Sequence, residues 1–367
     1  MQKMKISFTA IVKNESAGIA RCLESVADLV DEMIVVDTGS TDNTKEIAEK
    51  SGAKVYDYQW NESFADARNE SIKHATGDWI FWFDGDEYLL EEDRLKLKIL
   101  FSSLEDENVA YIMNQVTIRD DAPNEEIICT RASLFRNRPD LRWIYRVHEQ
   151  ILPQILKAGG RFVPVDIRIQ HIDKLTPKEH IRKSEGYLRL LHTADRECPN
   201  DPVIIFHIAL TYCYLNRYAE SIPYWSRVVQ LLAPGDQLGA KAYGLWSGAL
   251  HALGENEQAI KKCEEGLGLF PQAPELMLQL AEFRAMKGLH AEAKELLNQL
   301  ISSSLDKNFS RAGINPGIYT FQPLSLLGKI YLEENNIAEA EAHFKKALKY
   351  NPSYQPAIAG LSATKGP

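Results

Sequence analysis

Residues 79–90 read WIFWFDGDEYLL. Five large apolar residues, Trp79 to Phe83, run into Asp84, Gly85, Asp86 and Glu87 before the chain turns apolar again. A short, continuous, aromatic-rich run of this kind reads as a strand buried on both faces. The acids then lie at the carboxyl edge of a sheet, and in open α/β sheets ligands bind outside that edge. Two carboxylates flanking Gly85 share one small space. They suit a hard divalent cation that also takes oxygens from a diphosphate. Manganese or magnesium fits such a set, and a thiolate-seeking metal does not. The plainer alternative is a surface turn, since Asp and Gly are common turn residues. An EF-hand loop is excluded, because no third acid and distal Glu follow at its spacing.

Working outward from this stretch, the first half of the chain alternates. KISFTAIV, EMIVVD, AKVYDYQW and DWIFWFD read as strands. SAGIARCLESVADLV, TDNTKEIAEKSG and FADARNESIKHATG read as helices between them. Ser16 is the expected cap of the first helix, Thr41 or Asp42 caps the second, and Gly52 stops it. Strand–helix alternation with apolar strands predicts a mostly parallel, Rossmann-like sheet covered on both faces. After residue 105, VAYIMNQVTIR, EEIICTRASLFR and RFVPVDIRIQHI follow one another as strands without long helices between them. They predict an antiparallel addition.

From Pro177 onward nearly all of the sequence is helical, and it repeats. LLGKIYLEENNIAEAEAHFKKALKYNP carries Gly328, Tyr331, Ala340, Phe344, Ala347 and Pro352, the tetratricopeptide pattern. Ser247, Ala259, Gly266 and Pro271 fall in the same phase. Ala281 and Ala293 mark another unit, and Ala209, Tyr212 and Trp225 a weaker one. The key small residues at 209, 247, 281 and 328 are separated by 38, 34 and 47 positions, so the last step holds an insertion around SSSLDKNFSRAGINPG. An irregular helical bundle is the bland alternative. The expected organisation is a catalytic α/β domain over residues 1–176 and an all-α repeat solenoid over 177–367.

Composition narrows the function. A formal charge of −9 argues against a non-specific nucleic-acid binder. Five scattered cysteines form no C-x-x-C pair, so neither a zinc site nor a disulfide framework is expected, and a reducing compartment fits. The opening MQKMKISFTAIVKNES has too short an apolar run for a signal peptide. No stretch reaches the roughly 18 apolar residues of a membrane span. These features predict a cytoplasmic protein without an integral membrane segment.

IVKNES, VVDTGSTDNT, FADARNES, ATGDWIFWFDGDEYL and RVHEQI together resemble bacterial family 2 glycosyltransferases of the inverting kind. The resemblance covers about residues 4–172. With its repeat tail the chain is similar to the bacteriocin peptide S-/O-glycosyltransferases. The resemblance implies the A-type nucleotide-sugar-binding fold of glycosyltransferases. It implies that Ile11, Asn14, Glu15 and Asp37 hold the nucleotide base and ribose, with Arg68 near the base. Asp84 and Asp86 form the aspartate-x-aspartate motif. Asp84 reaches the ribose or the metal's water shell, and Asp86 ligates Mn2+ or Mg2+ directly. Gly85 is small so that the backbone can approach the sugar nucleotide, and the role of Glu87 stays open.

The implied reaction is one in-line displacement at the anomeric carbon of a nucleoside-diphosphate hexose, read as a UDP-sugar. Glu149 is the leading general base. Beside it, His148 is the alternative base or a metal ligand, and His171 is the other expected ligand. Arg131, Arg142 and Arg146 form either a cationic cluster for the diphosphate or an acidic acceptor, or a set of exposed strand arginines. Trp60, Trp79, Trp82 and Trp143 read mostly as core, with Trp143 the best placed to stack on a sugar.

Solenoids present extended concave faces that bind protein chains. The repeats therefore predict a peptide or protein acceptor. Self-association is their competing use, and exposed residues such as Tyr354 are compatible with a homodimer. Transfer to a cell-surface glycan or lipid-linked saccharide is the close variant. A non-catalytic scaffold with a degenerate nucleotide site is the second class. A nucleotidyltransferase is disfavoured, because KNESAG lacks a glycine-rich basic loop.

Overall fold

Strands of four to seven residues alternate with short helices, and the sheet follows from that alternation. In the computed structural model, which describes residues 4–119, 122–233, 235–303 and 316–365, the chain divides into two units, Met1–Ala194 and Asp195–Pro367. The first unit opens with β1 (Ile6–Val12), α1 (Ile19–Glu24), β2 (Glu32–Asp37) and α2 (Thr44–Lys50). Then come β3 (Lys54–Asp57), α3 (Phe64–Lys73) and β4 (Trp79–Asp84). β3, β2, β1 and β4 lie side by side and parallel. Their apolar faces are buried against the helices, with Phe8, Trp79, Phe81 and Phe83 fully enclosed.

β5 (Glu87–Leu89), α4 (Glu91–Ser102), β6 (Val109–Arg119), β7 (Ala122–Arg136), α5 (Leu152–Lys157) and β8 (Arg161–Asp173) complete the sheet. Its order is β3-β2-β1-β4-β7-β6-β8-β5. β7 joins β4 antiparallel and pairs antiparallel with β6, as the strand run predicts. β6 and β8, however, pair in parallel, with α5 lying in the connection that leads into β8. The position of β5 has a further consequence. It sits at the far edge of the sheet, yet only Gly85 and Asp86 separate it from β4. That covalent link makes the β7-β6-β8-β5 side curl back over the end of β4.

The helices depart from the sequence reading in their caps. α1 is short and starts at Ile19, and its N-cap is Gly18 rather than Ser16. The backbone N–H of Ser16 instead donates to Asp42 at 3.2 Å. A side chain at Gly18 would stand 3.1 Å from both the Asp86 Cα and the Gly85 carbonyl oxygen, so glycine lets α1 abut the acid turn. Asp42 accepts from the backbone N–H of Thr44 at 3.0 Å, although the formal N-cap of α2 is Asn43. Gly52 ends α2 with a φ of +87°.

α6 (Pro177–Glu197) begins with a capping box, in which the Thr176 N–H and hydroxyl donate to the Glu179 carboxylate at 2.8 and 2.6 Å. The second unit then packs helices in successive pairs. These are α7 (Pro202–Tyr214) with α8 (Tyr218–Leu231), α9 (Gln237–Ala252) with α10 (Asn256–Leu269), α11 (Pro274–Met286) with α12 (His290–Ser303), and α13 (Phe321–Glu333) with α14 (Ile337–Tyr350). α15 (Gln355–Ala363) closes the series.

Each pair turns on one left-handed residue: Asn216, Gly254, Gly288 and Asn335. These lie at the same 38, 34 and 47 spacing as the small residues Ala209, Ser247, Ala281 and Gly328. The small residues are there because the helices cross closely. A side chain at Gly328 would stand 2.7 Å from the Phe344 ring. Most of the insertion read at SSSLDKNFSRAGINPG lies outside the described residues. Tyr354 is not an open patch: its ring packs 4.7 Å from that of Phe321.

Candidate active site

Register brings the predicted acids to one edge. Val12 pairs with Asp37 on one side of β1, and Ile11 pairs with Asp84 on the other. Asp37 is 2% exposed. Its Oδ1 accepts the N–H groups of Gly39 and Ser40 at 3.0 and 2.8 Å, and its Oδ2 is buried with no protein partner. An unsatisfied buried carboxylate oxygen is costly unless a ligand N–H or hydroxyl completes it. Asn14, at φ +57°, holds the next loop, accepting from the Thr41 N–H at 2.8 Å and donating its own N–H to Ser40 Oγ at 2.9 Å. Glu15 donates its N–H to Thr44 Oγ1 at 2.7 Å. Its carboxyl faces the acid turn, and burial together with the charges of Asp86 and Asp84 raises its pKa to about 7.

The curl of the sheet surrounds Asp84 with partners from α3, β5 and β7. Arg68, 5% exposed, donates from Nη2 to Asp84 Oδ1 at 2.7 Å and from Nε to Glu149 Oε1 at 2.6 Å. Arg131 on β7 reaches Asp84 Oδ2 at 3.5 Å and also binds Glu87. Both guanidinium groups lie over the Trp82 indole, each 4.0 Å from its centroid. Burial acts to raise the Asp84 pKa, but Arg68 and Arg131 outweigh it and hold the carboxyl at about 2. Glu87 is fully buried and also takes the Asp84 N–H at 2.8 Å and the Gln115 amide. Its role is therefore to brace Asp84 and Arg131.

Asp86 and His171 form the other half of the acid turn. β5 pairs with β8 so that Glu87 faces His171, and Asp86 Oδ2 lies 3.2 Å from His171 Nε2. Thr117 Oγ1, 3.0 Å from Nδ1, fixes the ring from behind. Burial acts to lower the His171 pKa. The Asp86 hydrogen bond and the charges of Asp86, Glu87 and Asp84 override it and raise the pKa above the usual value. Among the described residues no group of three or more His, Cys, Asp or Glu side chains converges as a ready metal site. A carboxylate beside an imidazole held on its far nitrogen nevertheless suits a divalent cation with oxygen and nitrogen preference. Asp86 and His171 could thus supply two ligands.

Glu149 sits on a strained loop. Ile144 and Gln150 bridge it with two 3.0 Å backbone hydrogen bonds, and between them Tyr145 and His148 take left-handed φ values of +71° and +55°. Bulky residues in that region mark stored strain, which clusters at functional loops. Burial lowers the His148 pKa against the opposing pull of Glu149, so the imidazole is neutral at neutral pH.

Other sequence expectations change. The three arginines do not cluster. Arg131 sits among the acids, Arg142 is exposed and donates to the Leu141 carbonyl at 2.7 Å, and Arg146 donates to the Asn61 carbonyl at 3.2 Å. Trp143 is 5% exposed and packs edge-on against Trp82, 4.9 Å between centroids, so it offers no face to a sugar. Gly85 is packed against protein, since a side chain there would meet Val12 Cγ1 at 2.8 Å and Glu15 Cγ at 3.1 Å.

Two residues near the site lie beyond the motifs. Tyr187 on α6 packs edge-on against Phe64 and His148, at 5.9 and 5.7 Å. One turn earlier, Lys183 lies 5.8 Å from the Tyr187 ring centroid and bonds its hydroxyl. The only sequence signal was their four-residue spacing on a helix that reads as amphipathic.

Residues 7–170 match the Glycosyl transferase family 2 model, and residues 250–309 and 321–354 match tetratricopeptide repeat models. The chain thus joins a glycosyltransferase family 2 domain to C-terminal tetratricopeptide repeats. It is 40% identical over 154 residues to a TPR repeat-containing protein of Synechococcus elongatus, covering 41% of this chain and 36% of that one. It is 45% identical over 104 residues to an uncharacterized glycosyltransferase of Rickettsia felis, covering 27% of this chain and 35% of that one. To the SPbeta prophage-derived glycosyltransferase SunS of Bacillus subtilis it is 26% identical over 223 residues, 60% of this chain and 52% of that one. The chain therefore spans about a third to a half of the length of these relatives. The solved structure of MamA overlays 49% of this chain and 97% of its own, with a TM-score of 0.39 and 21% identity. Among the described residues no helix is long and apolar enough to cross a membrane.

Proposed function

We propose that the chain is a metal-dependent inverting glycosyltransferase that moves a hexose from a nucleoside-diphosphate sugar, read as a UDP-sugar, to a peptide or protein. The observation that carries this reading is the meeting of Asp37, Asp84, Asp86 and His171 at one sheet edge. There the unsatisfied Asp37 Oδ2 awaits a base N–H or a ribose hydroxyl. Asp86 and His171 would hold Mn2+ or Mg2+, which would supply charge neutralisation to the diphosphate. Arg68 and Arg131 keep Asp84 ionised and fix its direction.

The acceptor's nucleophile attacks the anomeric carbon from the face opposite the diphosphate. The carbon–oxygen bond to the β-phosphate breaks, its electron pair stays with the nucleoside diphosphate, and the nucleophile's proton passes to a base. Glu149, oriented by Arg68, is the assigned base, and neutral His148 is the alternative. The repeats, with a cleft of about 680 Å3 bordered by Met286, Lys329 and Tyr354, present the acceptor. The five free cysteines fit a cytoplasmic setting.

The test is release of the nucleoside diphosphate from a panel of UDP-sugars with and without Mn2+. One or two donors are expected to be hydrolysed slowly in a metal-dependent way. Asp86→Ala is expected to lower that rate about 100-fold or more. Unchanged turnover in that variant would sink the metal assignment.

A further inference from the structure

We propose that Lys183, on the first helix beyond the matched glycosyltransferase residues, is the cation that receives the leaving diphosphate. This rests on the glycosyltransferase reading and assigns it one more residue. The matched residues end at 170, but the first unit continues to Ala194 and so includes most of α6. Leu188, Leu190 and Leu191 are buried, and the Tyr187 ring is wedged against Phe64 and His148. The helix is therefore anchored beside the Glu149 loop, and Lys183 lies one turn earlier on it as an exposed residue.

Charge makes the case. Five carboxylates, Glu15, Asp84, Asp86, Glu87 and Glu149, crowd the acid turn, against two guanidinium groups. Both guanidinium groups are already committed: Arg68 to Asp84 and Glu149, Arg131 to Asp84 and Glu87. An incoming diphosphate adds further negative charge and needs a cation that the protein's own acids have not claimed. Among the described residues, Lys183 has the Tyr187 hydroxyl as its partner and no carboxylate within ion-pair distance, while still lying in the field of Asp84 and Asp86. A lysine ammonium is a compact, mobile point charge suited to phosphate, and here it is steadied by an aromatic ring and a hydroxyl. When the anomeric carbon–oxygen bond breaks, the electron pair comes to rest on a β-phosphate oxygen. Lys183 meets that charge without transferring a proton.

The experiment uses the full chain with Mn2+. UDP, GDP, ADP and CDP are each titrated calorimetrically, and the matching nucleosides are followed by saturation-transfer NMR. Lys183→Met is expected to weaken the preferred diphosphate about 10- to 100-fold while leaving its nucleoside unchanged. Lys183→Arg is expected to recover most of the loss. Equal binding of the diphosphate by Lys183→Met and wild type overturns the assignment. So does an equal loss of nucleoside binding, which would mean that Lys183 only supports the fold. If the wild-type chain binds none of the four diphosphates, the parent reading itself falls and takes this assignment with it.

Discussion

Glu32, at the opposite end of the sheet from the acids, accepts from Ser7 Oγ at 2.7 Å, the Thr76 N–H at 2.6 Å and hydroxyl at 2.9 Å, and Lys54 Nζ at 3.0 Å. Burial pushes its pKa up, but these donors win and hold it at about 2, below the ordinary 4.5. A carboxyl whose pKa is depressed on folding adds stability above its unfolded value and loses it as pH falls toward the folded one. Urea unfolding of Glu32→Ala is therefore expected to show a loss of about 2–4 kcal/mol at neutral pH. That gap from wild type should narrow steadily as pH falls from 4.5 toward 2. A gap that stays constant with pH would contradict the assignment. Arg68 illustrates the same physics at the site. Its carboxylate partners, Asp84 and Glu149, lie 16 and 81 residues away in sequence. Sequence set Arg68 on the first turns of the helix before β4, but no spacing rule could pair it with two acids. That is also why sequence left open whether Arg131, Arg142 and Arg146 form a cluster or stand apart.

Among the elements, the β4–β5 turn is the most constrained. Gly85 lies against Val12 and Glu15, so the end of β1 and the acid turn are in van der Waals contact. Gly85→Ala is expected to destabilise the first unit by about 1–3 kcal/mol through overpacking. Adding Val12→Ala should restore part of that loss in chemical unfolding, because the new methyl group would meet Val12 Cγ1 first. A neutral Gly85→Ala that instead impairs nucleotide binding would favour the sequence-based idea that glycine makes room for ligand. The strands were legible because burial on both faces leaves continuous apolar runs, and the repeats because helix crossings need small residues at fixed phase. Caps were less legible. Ser16 has the right chemistry for one, but the close approach of α1 to Asp86 gives the cap position to Gly18.

At the scale of the whole molecule, the change to all-helical sequence at Pro177 and the boundary between compact units at Ala194 do not coincide. A chain ending at residue 176 loses Tyr187 and uncovers Phe64 and His148. A chain ending at residue 194 keeps both contacts. The shorter piece is expected to unfold at lower denaturant and to bind nucleoside diphosphate about 10-fold or more weakly than the longer one. Equal stability and affinity of the two pieces would show that α6 adds nothing to the first unit.

The sequence alone determined the alternating α/β half, the acids at the end of β4 and the phase of the helical repeats. Each is written in local periodicity or in neighbouring residues. Only the tertiary structure decided that the sheet curls to set His171 beside Asp86, that two arginines claim Asp84, and that α6 lies against Phe64 and His148. Those contacts join residues far apart in the chain, and their partners are chosen by packing and charge balance once the fold exists.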